Sequence, residues 1–505
     1  MFRKILIANR GEIALRIIRT CKKLKVKTVA VYSEPDTESQ HVWFADEAYS
    51  IGPGEPSESY LNIKRILSVA SKSDSEAVHP GYGFLAENPQ FAEACEESGI
   101  TFIGPRSRIL GQVANKFESK KLASEAGVPT TPGSRREVQT LEEAEEEADR
   151  IGLPILLKAT FGGGGRGLRL VRNKKELPRA FEVAKAEAQV AFGRSDLYIE
   201  KFLESPRHIE VQILAGRKAR IIHLGERECS LQRRYQKILE ETPSPVLTVV
   251  ERKRLVSLAL KVAKATHYEN AGTVEFVRSQ EGKFYYLETN KRIQVEHLVS
   301  ELVTNTDIVE QQLKIASGDG LELSQNEISF SGTAINCRIN AEDPERNFAP
   351  IPGRVTRFTP PSGPGVRVDT ALYDGCPVPE YYDSLIAKIA CHSPTRSATL
   401  ATMRVALSET VVEGVKTTIT VHKMLMEDPT FLKGTYHTQF LDQRLLGWKP
   451  KTSISKAEAA IAYVAMKQFT TERTTTITNG IQASRWRRDL LEPQHLRPAL
   501  FVEGL

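Results

Sequence analysis

Four consecutive glycines, residues 162–165, lie between two segments that have the pattern of β-strands. Glycine lets backbone N–H groups close on phosphate oxygens and lets a loop move. The segment is not a Walker A loop, because Gly-Lys-Ser/Thr is absent and the strand-like residues 168–171 follow where a helix would be required. The pattern predicts a hinged flap over a nucleotide, with Lys158 reaching the phosphates from the preceding strand. A flexible hairpin tip is the alternative.

The amino-terminal segment alternates between strand and helix. Residues 4–8 and 27–32 are apolar strands, and residues 12–23 have isoleucines at helical spacing. This βαβ order predicts the opening of a doubly wound sheet. The first strand–helix loop contains only Gly11 and lacks GxGxxG, which disfavours a dinucleotide cofactor.

The length of 505 residues predicts two to four domains. Residues 154–202 have the order strand, loop, strand, helix, strand, which predicts a small inserted subdomain. Residues 208–296 are mostly β, and residues 331–445 combine strands with one long helix. The tail beyond Trp448 is rich in Thr, Arg and Lys.

Charge, cysteine usage and hydropathy exclude several classes of protein. The 69 basic residues nearly balance 63 acidic ones, and no basic block indicates nucleic-acid binding. The six cysteines are scattered without a CxxC pair, as expected for reduced thiols. No stretch approaches the ~20 apolar residues of a membrane span. Asn9 and Arg10 interrupt any signal core, so we expect a cytoplasmic protein.

Two carboxylates are predicted to face each other across a hairpin. The segments 272–277 and 285–290 flank the turn-like residues 280–283, and folding about that turn places Glu275 opposite Glu288. Directly opposed like charges repel, so such a pair usually has a cation between them. Carboxylate oxygens together with ATP phosphates are what Mg²⁺ prefers. A solvated pair on an exposed hairpin is the alternative.

A row of polar residues with a period of two continues from this hairpin. If the segment stays extended, Glu288, Asn290, Arg292, Gln294 and Glu296 share one face and could hold a metal, an anion and a base. A strand facing solvent would also alternate in this way. Two other strands show the same alternation, with His208, Glu210 and Gln212 on the first and Asn336, Arg338 and Asn340 on the second. A lone His or Arg in such strands is more often structural.

Several segments taken together resemble biotin carboxylase, the ATP-grasp enzyme or subunit of biotin-dependent carboxylases. They occur in unbroken order over about residues 1–445 and comprise residues 7–13 (IANRGEI), 79–88 (HPGYGFLAEN), the glycine loop, 223–237 (HLGERECSLQRRYQK), 292–297 (RIQVEH), 340–343 (NAED) and 382–388 (YDSLIAK).

The resemblance implies an α/β and α+β multidomain protein. It implies an ATP-grasp fold with an N-terminal doubly wound (Rossmann-like) domain and a C-terminal mixed domain. The expected boundaries are 1–114 for the N-terminal domain, 115–330 for the ATP-grasp domain with a mobile lid at about 131–203, 331–447 for the C-terminal domain and 448–505 for the tail.

The implied activity is ATP-dependent carboxylation of biotin with bicarbonate via carboxyphosphate, the first half-reaction of a biotin-dependent carboxylase. ATP and Mg²⁺, with Mn²⁺ as a substitute, are the implied cofactors. Biotin would arrive on a separate biotin carboxyl carrier protein. A separate carboxyltransferase subunit would select the acceptor, such as acetyl-CoA, propionyl-CoA or pyruvate. A homodimer or a larger hetero-oligomer is expected.

The resemblance also assigns roles to individual residues. Its nucleotide contacts are Lys116, Lys158, Gly163, Gly164, Gly165, Glu200, Lys201, Leu203, His208, Gln232 and Tyr235. Its metal ligands are Glu275, Glu288 and Asn290. Its bicarbonate site consists of Lys237, Arg292, Gln294 and the Val295 backbone, with Glu296 as general base. Arg338 would stabilise the biotin enolate, with Tyr82 near the ureido ring.

The sequence departs from the family pattern at four places, the first of which is Thr289 in place of a methionine. Lys291 replaces a threonine, Leu298 follows His297 where the family has proline, and Tyr235 replaces a histidine. Lys291 has the odd parity in the row and should point away from it, so we expect activity to be retained. Two other interpretations stay open: another ATP-grasp ligase that activates a different carboxylate, and a non-catalytic protein that only binds a nucleotide.

The tail contains Val-Ala-Met-Lys at residues 464–467, similar to the string around a biotinylated lysine. The preceding residues 457–463 have a helical pattern, and the glycine-rich hairpin domain that such a lysine needs is missing. We therefore expect that Lys467 does not carry biotin and that the tail docks a partner subunit or is partly mobile.

Overall fold

The computed structural model describes residues 1–112, 115–160, 168–192, 194–216, 220–448, 461 and 463–467. The chain divides into two units, Met1–Trp448 and Lys449–Leu505. In the second unit the described residues 461 and 463–467, which include Lys467, are helical. Among the described residues, no helix is long and apolar enough to cross a membrane.

The amino-terminal region forms a five-stranded parallel sheet with the strand order β3-β2-β1-β4-β5. Its central strand β1 and the adjacent helix α1 are buried because apolar side chains occupy both faces of the sheet. The predicted βαβ opening is confirmed. The strands are β1 Lys4–Ile7, β2 Lys27–Tyr32, β3 Glu47–Ser50, β4 Ala77–His79 and β5 Thr101–Phe102, and the helices are α1 Gly11–Lys23, α2 Gln40–Phe44, α3 Ile63–Lys72, α4 Pro89–Glu97 and α5 Ser107–Gln112.

The next region contains a small three-stranded antiparallel sheet with its own apolar core. The three predicted strands and the predicted helix are observed here in the predicted order. The glycine loop itself, including Gly163, Gly164 and Gly165, lies outside the described residues. The elements are α6 Lys116–Glu125, α7 Leu141–Ile151, β6 Ile155–Ala159, β7 Arg169–Val171, α8 Leu177–Phe192 and β8 Leu197–Lys201.

An eight-stranded antiparallel sheet dominates the rest of the first unit, with the order β13-β12-β9-β10-β11-β14-β21-β19. Its strands are β9 Arg207–Ala215, β10 Ile221–Arg233, β11 Gln236–Thr242, β12 Asn270–Arg278, β13 Phe284–Asn290, β14 Thr333–Asn340, β19 Val366–Thr370 and β21 Leu385–Ser393. The short strands are β15 Glu342–Asp343, β16 Ala349–Pro350, β17 Gly353–Arg354, β18 Arg357–Thr359, β20 Pro377–Val378 and β22 Val411–Glu413. The helices are α9 Val249–Ala265, α10 His297–Thr304, α11 Ile308–Ala316, α12 Arg396–Glu409, α13 Ile419–Leu425, α14 Pro429–Leu432 and α15 Phe440–Leu445.

The two faces of the large sheet differ in polarity because its strands alternate. In β9 the residues Ile209, Val211 and Ile213 belong to an apolar core that includes much of α9. Glu210 and Gln212 point to the other face and are nevertheless fully buried. Buried polar groups must be hydrogen-bonded. This face is therefore where polar chemistry is concentrated.

The hairpin β12–β13 has the predicted pairing of Glu275 with Glu288. An irregularity follows this pair, because Phe276 is opposite Tyr286 and Leu287 is left over. The condition that the segment stays extended to residue 296 is not met, because β13 ends at Asn290. The buried side chain of Ile293 joins the core beneath the amino-terminal sheet, and the chain turns there into α10.

Candidate active site

Lys237 is the centre of the polar face. Its ammonium nitrogen lies 2.5 Å from Glu210 Oε2, 2.9 Å from Glu275 Oε1 and 2.7 Å from Glu296 Oε1. Burial alone would lower the pKa of Lys237, but these three carboxylates raise it well above its ordinary value. The lysine is therefore a permanent cation that joins three strands and the segment before α10.

Glu296 is held by a second cation, Arg338. The guanidinium donates from Nη2 to Glu296 Oε2 at 2.9 Å and from Nε to Glu240 Oε1 at 2.6 Å. Glu296 is buried, which opposes ionisation, yet Lys237 and Arg338 lower its pKa below the ordinary value. In this arrangement Glu296 is an ionised carboxylate with one cation at each oxygen.

The predicted metal ligands lie at the edge of the sheet beside this centre. Glu275 Oε1 accepts hydrogen bonds from Asn290 Nδ2 at 2.7 Å and Gln294 Nε2 at 2.9 Å. Lys237 and nearby His208 keep the pKa of Glu275 well below its ordinary value despite burial. Glu288, directly across the hairpin, is 2.5 Å from Lys116 Nζ. Two carboxylates and an amide oxygen are the donors that Mg²⁺ prefers, so these residues fit the ion.

The segment 292–296 brings its polar side chains to the same centre although it is not a strand. Arg292 donates from Nη2 to Asn290 Oδ1 at 3.2 Å and from Nε to Glu87 Oε2 at 3.1 Å. The carbonyl of Val295 accepts a hydrogen bond at 3.2 Å from Lys388 Nζ. Arg292 and the Val295 backbone therefore have fixed positions next to Glu296.

The nucleotide residues predicted from the lid strands are placed in a second cluster. Glu200 is buried and pairs with Lys158 at 2.6 Å and also with Lys120. Burial and the neighbouring Lys116 lower the pKa of Lys158 to about 7. Phosphate groups beside Lys158 would favour its charged form.

The remaining predicted nucleotide contacts are dispersed. The side chain of Lys201 turns to the carbonyls of Gly152 and Leu153, and Leu203 is half-buried. Gln232 donates to His208 Nδ1 at 3.0 Å, and His208 Nε2 lies 3.1 Å from Glu275 Oε2. Tyr235 is exposed in the turn between β10 and β11. Only His208 and Gln232 of this group join the central cluster.

Tyr82 is connected to the centre by a hydrogen bond and a buried ion pair. Its hydroxyl donates to Glu12 Oε1, and Glu12 Oε2 is 2.9 Å from Lys388 Nζ. Lys388 also binds the carbonyl of Val295. Tyr82 is thus linked to the segment that carries Glu296.

Three charged residues that contact the candidate site were not singled out from the sequence: Arg227, Glu240 and Lys388. All three are fully buried. Their signal was a charged residue at an interior position of a β-strand, which is rarely buried unless paired. Arg227 and Lys388 also fall inside the segments that resemble the family, at residues 223–237 and 382–388.

The departures from the family pattern leave the centre intact. Lys291 is buried and directs its Nζ to the carbonyl of Leu110 at 3.4 Å, away from Glu275 and Glu296. Leu298 is the second residue of α10 and is completely buried.

Comparison with known proteins identifies close relatives over most of the chain. Biotin carboxylase 1 of Bacillus subtilis is 50% identical over 443 residues, covering 88% of this chain and 98% of that protein. A pyruvate carboxylase subunit from Methanothermobacter thermautotrophicus is also 50% identical over 443 residues, covering 88% and 90%. The biotin carboxylase domain dimer of Hydrogenobacter thermophilus 2-oxoglutarate carboxylase, solved with MgADP, ADP and bicarbonate, superposes with a TM-score of 0.86 at 48% identity and covers 89% of this chain and 99% of its own.

Family models match three successive parts of the chain: the biotin carboxylase N-terminal domain at residues 1–110, the carbamoyl-phosphate synthase L chain ATP binding domain at 115–324 and the biotin carboxylase C-terminal domain at 336–443. The fold and the site thus define an ATP-dependent ligase with an ATP-grasp domain. The family resemblance and fold class predicted from the sequence motifs are confirmed. The chain belongs to the biotin carboxylase family, whose members carboxylate biotin with ATP and bicarbonate in the first half-reaction of biotin-dependent carboxylases.

Proposed function

We propose that this chain uses MgATP and bicarbonate to carboxylate biotin, with Glu296 as the general base. The observation that carries the proposal is the convergence of Lys237 and Arg338 on Glu296, with Lys237 also contacting Glu275. An ionised carboxylate, fixed cations and a carboxylate pair suited to Mg²⁺ lie within one buried centre. That is the equipment that phosphoryl transfer to a small anion requires.

Bicarbonate binds where it can share the cations that hold Glu296 in the free protein. Lys237, Arg292, the amide of Gln294 and the Val295 backbone surround the anion. Glu296 removes its proton, and the resulting oxyanion attacks the γ-phosphorus of ATP. The products are carboxyphosphate and ADP. Positioning and charge neutralisation supply most of the rate in such a step.

The low pKa of Glu296 would make it a weak base if it persisted in the complex. Bicarbonate and the ATP phosphates add negative charge beside Lys237 and draw the cations away from Glu296. Both effects raise the pKa of a nearby carboxylate. Glu296 is therefore ionised before substrate binds and becomes more basic once the anions are in place.

Glu275, Glu288 and Asn290 would hold Mg²⁺, which neutralises the phosphates when it is bound. Lys116, Lys158, Glu200, His208 and Gln232 would contact the nucleotide. Lys116 and Lys158 balance the nearby carboxylates in the free protein and can turn to phosphate oxygens in the complex.

Breakdown of carboxyphosphate yields CO₂ and a phosphate that deprotonates biotin N1. Arg338 lies close enough to Glu296 to stabilise the enolate oxygen of biotin, and Glu240 fixes the other edge of its guanidinium. Tyr82 would lie near the ureido ring. N1 of the enolate then attacks the carbon of CO₂, and the carboxylated biotin leaves with its carrier.

The partners follow from the chemistry of the half-reaction. A biotin carboxyl carrier protein would deliver biotin, and a carboxyltransferase subunit would pass the carboxyl group to an acceptor. Relatives are subunits of a pyruvate carboxylase and of a 2-oxoglutarate carboxylase, and the Hydrogenobacter domain is a dimer. A homodimer within a larger complex is the proposed assembly.

The substitution Glu296→Gln tests the role of the base, because the amide keeps the size of the side chain but cannot accept the bicarbonate proton. ATP turnover that depends on free biotin and bicarbonate should fall by about 10²–10⁴-fold. Phosphate release in the presence and absence of biotin measures this directly.

The exposed Glu281 at the tip of the β12–β13 hairpin offers a matched control. Glu281→Gln makes the same chemical change on the same hairpin and should leave turnover at the parental level. Near-normal biotin-dependent turnover of Glu296→Gln would remove the assignment. A parent protein whose ATP turnover ignores biotin would instead remove the proposed function.

A further inference from the structure

Arg227 on β10 is fully buried and has no direct part in the proposed chemistry. A guanidinium has five N–H donors in a planar fork. All five are used here, and the acceptors come from four different elements of the fold. The acceptors are Glu210 Oε1 at 2.5 Å, Gln212 Oε1 at 2.7 Å, Ser300 Oγ at 3.0 Å, Thr273 Oγ1 at 3.0 Å and Gln294 Oε1 at 2.7 Å.

The bond to Gln294 decides which way its amide faces. Arginine can only donate, so only the oxygen of the amide can turn towards it. The Nε2 group of Gln294 must then point to the opposite side, where it donates to Glu275 Oε1 at 2.9 Å. That side is the proposed anion pocket.

The bond to Glu210 acts in a similar way on Lys237. Arg227 occupies Oε1 of Glu210, and Lys237 occupies Oε2 at 2.5 Å. Burial opposes the charged guanidinium, but Glu210 and Glu296 keep the pKa of Arg227 above its ordinary value. The guanidinium is therefore a permanent cation, and Glu210 bridges it to Lys237.

We propose that Arg227 is a positioning residue for bicarbonate, which orients the donor group of Gln294 and fixes Lys237 through Glu210. The inference rests on the proposed function and deepens it. Since Arg227 is inaccessible, it cannot touch the substrate itself. Its contribution is to hold Lys237 and the Nε2 group of Gln294 side by side, both on Glu275 Oε1, before the anion binds.

The variant Arg227→Lys keeps the positive charge but loses the planar arrangement of five N–H donors. Lysine has three donors on one atom, so it cannot reach Glu210 and Gln294 in the same geometry. The KM for bicarbonate in biotin-dependent ATP turnover should rise about 10- to 100-fold, as for a lost hydrogen bond to a charged group. The KM for ATP should stay near the parental value. Equal increases in both KM values would indicate a merely structural role and overturn the proposal.

Thr273→Val provides the matched control. It also removes one hydrogen bond of Arg227, but from an acceptor that has no hydrogen bond to Gln294 or Lys237. Its KM for bicarbonate should be unchanged. If Thr273→Val raises the KM for bicarbonate as much as Arg227→Lys does, any loss of packing around the guanidinium has the same effect. That result would contradict the inference.

The double variant Arg227→Lys with Gln294→Ala tests whether the arginine acts through Gln294. If it does, adding Arg227→Lys to Gln294→Ala should raise the KM for bicarbonate far less than it does in the parent protein. If the double variant instead raises the KM for bicarbonate by the product of the two separate increases, the proposal is contradicted.

Gln294→Glu keeps the test valid even if Arg227→Lys does not fold. This variant retains an oxygen for Arg227 but replaces the Nε2 donor with a second anionic oxygen. It should raise the KM for bicarbonate at least as much as Gln294→Ala does. A near-parental KM would show that the orientation of the amide is irrelevant. Both outcomes require only that the parent protein shows biotin-dependent turnover, which separates this failure from failure of the proposed function.

Discussion

Among the residues that the structure describes, four histidines are completely buried: His41, His79, His297 and His422. Burial lowers the pKa of each, to about 4 for His41 and His422 and to about 3 for His79. Neutral imidazole can both donate and accept. His297 contacts the carbonyl of Gln294 at 2.7 Å, and His422 contacts that of Arg338 at 2.7 Å. Uncharged histidines thus hold the main chain at two residues of the proposed pocket.

His41 is the buried histidine best suited to a measurement of stability, because it lies far along the chain from the proposed catalytic residues. In the folded protein its pKa is about 4 against 6.5 for the ordinary residue. Between these values the unfolded chain binds the proton and the folded protein does not, so stability falls as the pH falls through this window. The wild-type free energy of unfolding should lose about 2 kcal/mol from His41 alone between pH 7.5 and pH 5.

The variant His41→Gln lacks this titration. Urea unfolding at both pH values should show that its deficit against the wild type narrows by about 2 kcal/mol at pH 5. His267 is exposed, so His267→Gln serves as the control for replacing an imidazole with an amide. If the free energies of unfolding of His41→Gln and of the wild type change by the same amount between the two pH values, His41 binds its proton as readily in the folded protein as in the unfolded chain.

At the scale of the element, the sequence predicted what depends on local periodicity. The βαβ opening and the pairing of Glu275 with Glu288 follow from alternation and turn position, which neighbouring residues determine. The end of β13 at Asn290 could not be predicted in this way. It depends on the burial of Ile293 against a core built from distant residues. Polar residues continue to alternate in the sequence from 291 to 296, although the chain is no longer extended there.

The buried charges Arg227, Glu240 and Lys388 were missed for a related reason. A single sequence shows a charged residue in a strand but not the partner that allows its burial. Lys388 faces Arg338 on one neighbouring strand and Asp369 on the other. Such neighbours become visible only when the strand order is known.

The position of Leu298 in α10 allows a prediction for the substitution of this residue by proline, the residue that the family has there. Leu298 is in the first turn, where the N–H group of a helix has no intrahelical partner. Proline is therefore tolerated at this position. Leu298→Pro should keep both the melting temperature and biotin-dependent ATP turnover close to the parental values.

Val303 is the control for this change, because it is also apolar and buried but lies near the end of the same helix. Val303→Pro removes an interior hydrogen bond and should cost about 3 kcal/mol or more. Thermal unfolding followed by circular dichroism distinguishes the two variants. If Leu298→Pro loses as much stability as Val303→Pro does, the first turn of α10 does not tolerate proline.

At the scale of the whole molecule, the proposed site is assembled from all parts of the first unit. Lys237, Glu275 and Arg338 lie on β11, β12 and β14, which the strand order brings to one face. Glu12 and Tyr82 come from the amino-terminal region and meet Lys388 of β21. Correct docking of the amino-terminal sheet is thus a condition for the geometry of the site.

Lys388 contributes to that docking through a buried ion pair with Glu12, so its removal should destabilise the whole unit. Its Nζ is 2.9 Å from Glu12 Oε2 and 3.9 Å from Asp369 Oδ2. Lys388→Met leaves Glu12 as an uncompensated buried charge, which should lower the free energy of unfolding in urea by about 3–5 kcal/mol. The exposed Lys423→Met on α13 should stay within about 0.5 kcal/mol of the wild type. Adding Glu12→Gln to Lys388→Met should restore part of the loss, because no unpaired carboxylate remains at that position. A double variant no more stable than Lys388→Met would show that packing, and not charge, is what the lysine supplies.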